Sequence, residues 1–133
     1  MSFRQARRSD TRQLYEWRLQ DEAQRWYEGR SITYETHARW VEQRLRNPLV
    51  RILIWEDDNT PTGMVRIDSN GELTFHARDD ATAIRMLKAT RVYANENGGR
   101  LKATLDTSNI HARKLLARAG FQEYQTTFLA YKP

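Results

Sequence analysis

The chain reads as an α/β (α+β) domain: a mixed, twisted sheet, with an antiparallel meander followed by a βαβ crossover and helices on both faces. Three observations predict it. Three strand-like segments follow one another between residues 50 and 78, the last two joined by Asn70-Gly71, a strong hairpin signal. Segments on either side of them carry apolar residues at helical spacing. The last helical segments enclose one more extended stretch, the arrangement of a right-handed crossover.

Taken in order, Phe3 to Arg7 is a short first strand. Ser9-Asp10 can cap a helix starting at Thr11, with Gln13 placed to complete a capping box from Asp10 and with Leu14 and Trp17 as its buried face. A second helix is expected from Tyr34 to Arg46, capped by Thr33, with His37, Trp40, Val41 and Leu45 as its stripe and Asn47-Pro48 as its end. Val50 to Glu56 is nearly all apolar and suits a strand covered on both faces. Asp57 to Thr62 reads as a turn-rich connection, Gly63 to Asp68 as the next strand, and Glu72 to Arg78 as the third. In that third strand Leu73, Phe75 and Ala77 point one way, Thr74 and His76 the other. A helix from Ala81 to Asn97 buries Ala83, Met86, Leu87, Thr90 and Ala94, turns Arg85, Lys88 and Arg91 outward, and stops at Gly98-Gly99. Arg100 to Asp106 is the crossover strand. A helix with Ala112, Leu115, Leu116 and Ala119 on one side follows, then Gly120 as its left-handed cap and an extended segment from Gln122 to Lys132.

The 133 residues suit one domain, with 39% hydrophobic content, four Trp and six Tyr to fill its core. No apolar run approaches the roughly 20 residues of a bilayer span. Met1-Ser2-Phe3-Arg4 lacks the apolar core of a signal peptide, so a cytoplasmic protein without membrane contact is expected. The absence of Cys fits a reducing compartment and excludes thiolate catalysis and Cys-ligated zinc. Three isolated His make no metal cluster. The net charge of +5 rests mainly on arginine, whose planar fork suits a phosphorylated ligand. The basic residues are spread evenly and do not interleave with aromatics, which argues against nucleic acid as the partner.

The stretch Arg100-Leu101-Lys102-Ala103-Thr104-Leu105-Asp106, then Asn109, Ala112, Leu115, Leu116 and Gly120-Phe121, resembles the closing segment of the GNAT N-acetyltransferases. The element order is also the one GNAT domains use, so the resemblance covers residues 1–133 as one acetyltransferase domain. It implies acetyl-CoA as co-substrate, with its pantetheine contacted by Asn109, and direct transfer to an amine in a ternary complex. Trp17-Arg18, Arg25-Trp26, Ser31, His37 with Trp40, and Pro61-x-Gly63-x-Val65-Arg66-x-Asp68 resemble one branch of the family, the amino-sugar N-acetyltransferases of nonulosonic-acid (pseudaminic-acid type) biosynthesis. The acceptor this implies is the amine of a nucleotide-linked amino sugar, with Arg18, Arg25 and Arg66 as candidates for its phosphates. Trp17 and Trp40 read as core and His37 as a packed histidine.

The family holds the cofactor pyrophosphate on a helix N-terminus, in a loop written Gln/Arg-x-x-Gly-x-Gly/Ala. Here that loop is Arg78-Asp79-Asp80-Ala81-Thr82-Ala83, which makes Arg78, Ala81, Ala83 and the nearby Arg85 the cofactor candidates. Ala81 stands where the family has Gly, and it fits if its φ is negative. Asp79 or Asp80 can cap the helix and oppose the phosphates. Leu116 stands where many relatives carry a Tyr that protonates the leaving thiolate, leaving three alternatives: Ser108, Tyr124, or departure of the thiolate without a general acid. His76 and Glu72 are the candidate bases, because their strand passes the acetyl group, and imidazole titrates in the useful range. Two competing readings stay open: a non-catalytic GNAT domain serving as a binding module, and an acetyltransferase acting on a protein or peptide amine. A homodimer is compatible with the chain.

Overall fold

The computed structural model describes residues 2–96, 100–105 and 109–124, apart from 24–31. Its first strand, β1 (Ser2–Gln5), ends sooner than the sequence suggests, because the chain turns into a single 3-10 turn at Arg8–Asp10 before α1 (Thr11–Ala23). Asp10 is the reason. Its carboxylate accepts from the Arg7 N–H at 2.7 Å and receives both Nη atoms of Arg4, at 2.8 and 2.9 Å. It therefore caps the preceding turn backwards, in place of the box with Gln13. The Arg4 fork holds the buried Asp10 carboxyl below the usual carboxylate range, and the pair in turn raises the basicity of Arg4.

α2 (Tyr34–Arg46) starts at Thr33, whose hydroxyl accepts from the Thr36 N–H, and stops at Asn47. His37 and Val41 are its buried residues, with Trp40 and Leu45 partly covered beside them. Next comes a meander of β2 (Arg51–Asp57), β3 (Thr60–Ile67) and β4 (Leu73–Ala77). The four strands lie in the order β1-β2-β3-β4, each neighbour antiparallel. The connection expected over residues 57–62 shrinks to Asp58-Asn59, both with positive φ (50° and 64°). Two left-handed residues make the tight hairpin turn whose twist matches the strands. Pro61 is tolerated within β3 because it lies at the register shift beside Trp55 and Glu56, where a ladder donor is dispensable.

Between β3 and β4 the Asp68 N–H donates to the Glu72 carbonyl (3.0 Å), so residues 69–71 close a three-residue loop. Gly71 takes φ 83°, and a Cβ there would run into the Arg100 carbonyl. α3 (Asp80–Glu96) buries Ala83, Met86, Leu87, Thr90 and Ala94, as its periodicity predicts. Gly98-Gly99 lies outside the described residues.

The crossover strand is the main departure. Among the described residues, Arg100 to Asp106 contributes one parallel bridge, Lys102 to Glu72. The Leu73 N–H donates to the Lys102 carbonyl (2.7 Å), and the Lys102 N–H to the Gly71 carbonyl (3.0 Å). α4 (Ile110–Arg118) then ends in a Schellman motif. Phe121 N–H donates to the Leu116 carbonyl at 2.9 Å, and Gly120, at φ 94°, to that of Ala117 at 3.0 Å. Phe121 is partly buried against the core that contains Leu116. The expected tail from Gln122 is described only as far as Tyr124 and forms no strand there.

Two cores sandwich the sheet. Leu53, Trp55, Val65 and Leu73 pack with Ala83, Met86 and Leu87 of α3 and with Leu115 and Leu116 of α4. Ile52 and Ile54 pack on the other face with Leu14 and Trp17 of α1 and Val41 of α2. Strand alternation sorts odd and even residues to the two faces. Thr74 and His76 consequently face α1 and α2, while Phe75 and Ala77 join the α3 side. No helix among the described residues is long and apolar enough to cross a membrane.

Candidate active site

Among the described residues, the strand that pairs with β4 is β3 alone. Thr74 and His76 pair with Arg66 and Met64 of β3, and the Leu73 N–H points the other way, to Lys102. Backbone groups in an antiparallel pair alternate between the two sides, so the N–H groups of Phe75 and Ala77 also point away from β3. Beyond the bridge at Lys102 the facing chain leaves the sheet. The gap becomes a cleft of about 410 Å³, with Leu73 to Ala77 on one wall and Thr104, Leu105, Asn109, His111, Ala112 and Leu115 on the other. One end of a strand thus presents outward amides to a cleft instead of to a neighbouring strand.

The α3 N-terminus closes one end of this cleft, with Arg78, Asp79, Asp80 and Ala83 in the lining. Asp79 is the N-cap: its Oδ1 accepts from the Thr82 N–H at 2.8 Å. That bond, the Thr82 hydroxyl and then Arg78 hold the Asp79 carboxyl below its usual range. Arg78 Nε lies 3.3 Å from Asp79 Oδ2. Asp57, at the end of β2, stands between two guanidinium groups, 3.8 Å from Arg78 Nη2 and 3.9 Å from Arg85 Nη2. At the opposite wall, Asn109 caps α4 through Oδ1, which accepts from the Ala112 N–H at 3.1 Å. His111 Nε2 meets Asp80 Oδ1 at 2.8 Å.

On the other face of β4 is a smaller cavity of about 40 Å³, lined by Leu14, Trp17 and Arg18 of α1, His37 and Trp40 of α2, and Arg66, Thr74 and His76 of the sheet, among others. Its walls are flat rings. Trp17 stacks on His76 (centroids 5.3 Å, planes 24° apart), and His37 stacks on Trp40 (5.7 Å, 26°). The Arg66 guanidinium lies 4.9 Å over the Trp40 ring, donates to Thr74 Oγ1 at 3.3 Å, and has Nε 3.2 Å from Asp68. Among the described residues, two arginines and no carboxylate line this cavity. Arg66, Thr74, Phe75 and His76 line both cavities.

The structure therefore gathers His76, Arg18 and Arg66 at one cavity and Arg78, Ala83 and Asn109 at the other. Glu72, expected as a second base, lies four residues back along the chain in the hairpin, and neither lining includes it. Its carbonyl accepts from the Asp68 N–H and its N–H donates to Asn70 Oδ1 at 3.0 Å, which ties it to the hairpin. Ala81 is exposed in the first turn of α3, outside the lining, without positive φ. It needs no glycine. Arg85 is one turn in from the cleft, reaching Thr82 Oγ1 at 3.4 Å. Leu116 is buried in the core, whereas its neighbour Leu115 reaches the cleft. Tyr124 is exposed. Arg25, Trp26, Ser31 and Ser108 lie outside the described residues. His111 and Asp57 had no signal in the sequence, because a lone histidine or a carboxylate at a strand end carries no local pattern.

β4 thus has a cleft along its edge and a second cavity on one face, and the class of protein follows from the family. The chain belongs to the GNAT family: the acetyltransferase (GNAT) domain model matches residues 1–122. It is an acetyltransferase, and acetyl-CoA is the co-substrate of that class. No curated protein matches the chain. Solved structures share the fold at low identity. The spermidine N-acetyltransferase of Vibrio cholerae, solved with CoA and spermine, is 13% identical with TM-score 0.79, over 93% of this chain and 82% of that one. An aminoglycoside 6'-N-acetyltransferase from Acinetobacter haemolyticus is 16% identical with TM-score 0.71, over 100% and 99%. A second aminoglycoside acetyltransferase, in complex with a CoA-containing bisubstrate analogue, is 15% identical with TM-score 0.74, over 99% and 97%.

The cleft meets the needs of a pantetheine arm on one observation: the outward amides of Phe75 and Ala77 face a gap wide enough for an extended chain. At the α3 end the Thr82 amide is taken by Asp79, so the cations Arg78 and Arg85 are the groups suited to the diphosphate there.

Proposed function

We propose that residues 1–133 form one acetyltransferase domain that moves an acetyl group from acetyl-CoA to the amine of a small anionic acceptor, and that this acceptor is a nucleotide-linked amino sugar. The observation that carries the reading is the set Arg66, Thr74, Phe75 and His76, which belongs to both cavities. Two reactants held on opposite sides of β4 meet at those residues, which favours direct transfer over a covalent enzyme intermediate. The thioester supplies an electrophilic carbonyl with a good leaving group. The amine nitrogen bonds to the acetyl carbon while the C–S bond breaks with its electron pair on sulfur, and the proton lost by nitrogen passes to His76. The outward N–H groups of Phe75 or Ala77 stabilise the carbonyl oxygen as charge develops on it. Asn109, beside the cleft, offers its amide to the pantetheine.

The acceptor class follows from charge. Spermidine and aminoglycosides are polycations, and a cavity whose described lining holds Arg18 and Arg66 and no carboxylate opposes them. The same arginines suit a diphosphate, and flat aromatic walls suit a sugar or a base. Coenzyme A release should be measured with acetyl-CoA and, in turn, a uridine diphosphate-linked 4-amino sugar, spermidine and a lysine peptide. Turnover greatest on the nucleotide sugar is the expected result. Turnover on spermidine or the peptide, with none on the nucleotide sugar, overturns the acceptor assignment. No binding of acetyl-CoA in calorimetry overturns the enzymatic one.

A further inference from the structure

The cations that face the donor cleft are each held by a carboxylate. Arg78 is 3.3 Å from Asp79, Arg66 is 3.2 Å from Asp68, and His111 is 2.8 Å from Asp80. The third pair differs from the others in its placement. Asp80 is the first residue of α3 and His111 the second of α4, 31 positions apart, so this contact ties the two walls of the cleft together. Both side chains are more than half exposed and both belong to the cleft lining. An ion pair in that position contributes little to stability, since exposed pairs are worth about 0–1 kcal/mol. It is accordingly easy to open.

We propose that His111 is a cofactor-positioning residue held in reserve: Asp80 holds its imidazole across the cleft, and an entering coenzyme A phosphate takes it over. The inference rests on the cleft being the acetyl-CoA site. At the α3 N-terminus the Thr82 amide is already bonded to Asp79, so a phosphate there gains from a further donor beside Arg78 and Arg85. His111 supplies it from the opposite wall. The exchange makes no covalent change: one N–H···O contact moves from a carboxylate to a phosphate oxygen. The other charged groups around His111 are Asp79, Arg78 and Arg66 across the cleft, with Arg113 and Lys114 on its own helix; Arg113 is paired to Glu123 at 3.1 Å.

The test uses calorimetric binding of coenzyme A to four proteins at pH 6: wild type, Asp80→Asn, His111→Gln and the double variant. Asp80→Asn should tighten binding, and His111→Gln should weaken it, each by about fivefold for one exposed charge contact. The deciding comparison is made without Asp80. If His111 contacts a phosphate, the double variant binds about fivefold more weakly than Asp80→Asn alone. Equal affinity of the double variant and Asp80→Asn at pH 6 overturns the proposal, because His111 then only neutralises Asp80. Thermal unfolding of the four apo proteins within a few degrees of one another should accompany the expected result. Wild type that binds coenzyme A but shows no His111 dependence refutes this inference alone, whereas wild type that fails to bind refutes the reading of the cleft as well.

Discussion

The imidazole of His76 lies flat against the indole of Trp17, 5.3 Å between centroids and 24° between planes, and joins α1 to β4, which borders both cavities. Trp17 is 7% exposed and anchored in the core with Leu14, Val41, Ile52 and Ile54, so the ring behind His76 is rigid. A side chain pinned in this way presents its nitrogens in a fixed direction, which a proton acceptor in a direct transfer requires.

His76→Gln should keep the stack and lose the base. Turnover should fall by about 10²-fold or more, with acetyl-CoA affinity in calorimetry unchanged. Unchanged turnover would return His76 to a packing role.

Arg66 is held by Trp40, Thr74 and Asp68 at the border of the two cavities. Arg66→Ala should raise the apparent KM for a nucleotide amino sugar by about 10-fold to 150-fold, the loss of one charge-assisted contact of about 1.5–3 kcal/mol. Acetyl-CoA affinity should hardly change. Arg66→Lys should recover part of the loss, since the charge stays and the planar fork and its stacking go. Equal KM values in steady-state kinetics for all three proteins would exclude a phosphate contact.

Asp79 serves the helix through its oxygen and opposes an anion through its charge. Asn is an equally good N-cap. Asp79→Asn should therefore leave the melting temperature nearly constant and tighten acetyl-CoA binding by about fivefold. Asp79→Ala should lower the melting temperature through loss of the bond from the Thr82 N–H. Weaker cofactor binding in Asp79→Asn would mean that the carboxylate has a positive role, for instance in aiming Arg78.

Asp10 is the buried end of the Arg4 fork, and its folded-state carboxyl is depressed below the unfolded value. Its stabilising contribution is thus complete above an unfolded carboxylate value of about 4 and is lost as pH falls through the lower folded one. Asp10→Asn should cost about 1.5–3 kcal/mol in urea unfolding at pH 7. The gap between the two proteins should narrow as pH is lowered below 4. A gap that stays constant there would assign the cost to packing instead of charge.

Much of this fold could be read locally. Thr33 before Tyr34–Arg46, the alternation of Leu73 to Ala77, the buried stripe of α3 and the Gly120-Phe121 ending of α4 each depend on residues within one or two turns of one another. Asp58-Asn59 was a readable hairpin signal too, obscured by Pro61, whose tolerance depends on a bulge in the neighbouring strand. The acetyltransferase domain was equally legible, because its closing segment combines a strand, an Asn cap and a glycine stop in a fixed order.

The sequence by itself determined the order of the first strand, α1, α2, the three-strand meander, α3 and α4, the two apolar faces of the sheet and the family, since periodicity and capping act over a few residues and need no partner from afar. Only the tertiary structure decided that, among the described residues, the crossover segment makes a single bridge at Lys102 and then leaves the edge of β4 facing a cleft. It also decided that Asp79 takes the Thr82 amide, that His111 reaches Asp80 across 31 positions, and that His76 stacks on Trp17. An open strand edge depends on where the next segment packs, and a side-chain pairing on which partner lies within about 3 Å of a polar atom. Neither distance is encoded in spacing along the chain; both are set by how α1, α3 and α4 close on the two faces of the sheet.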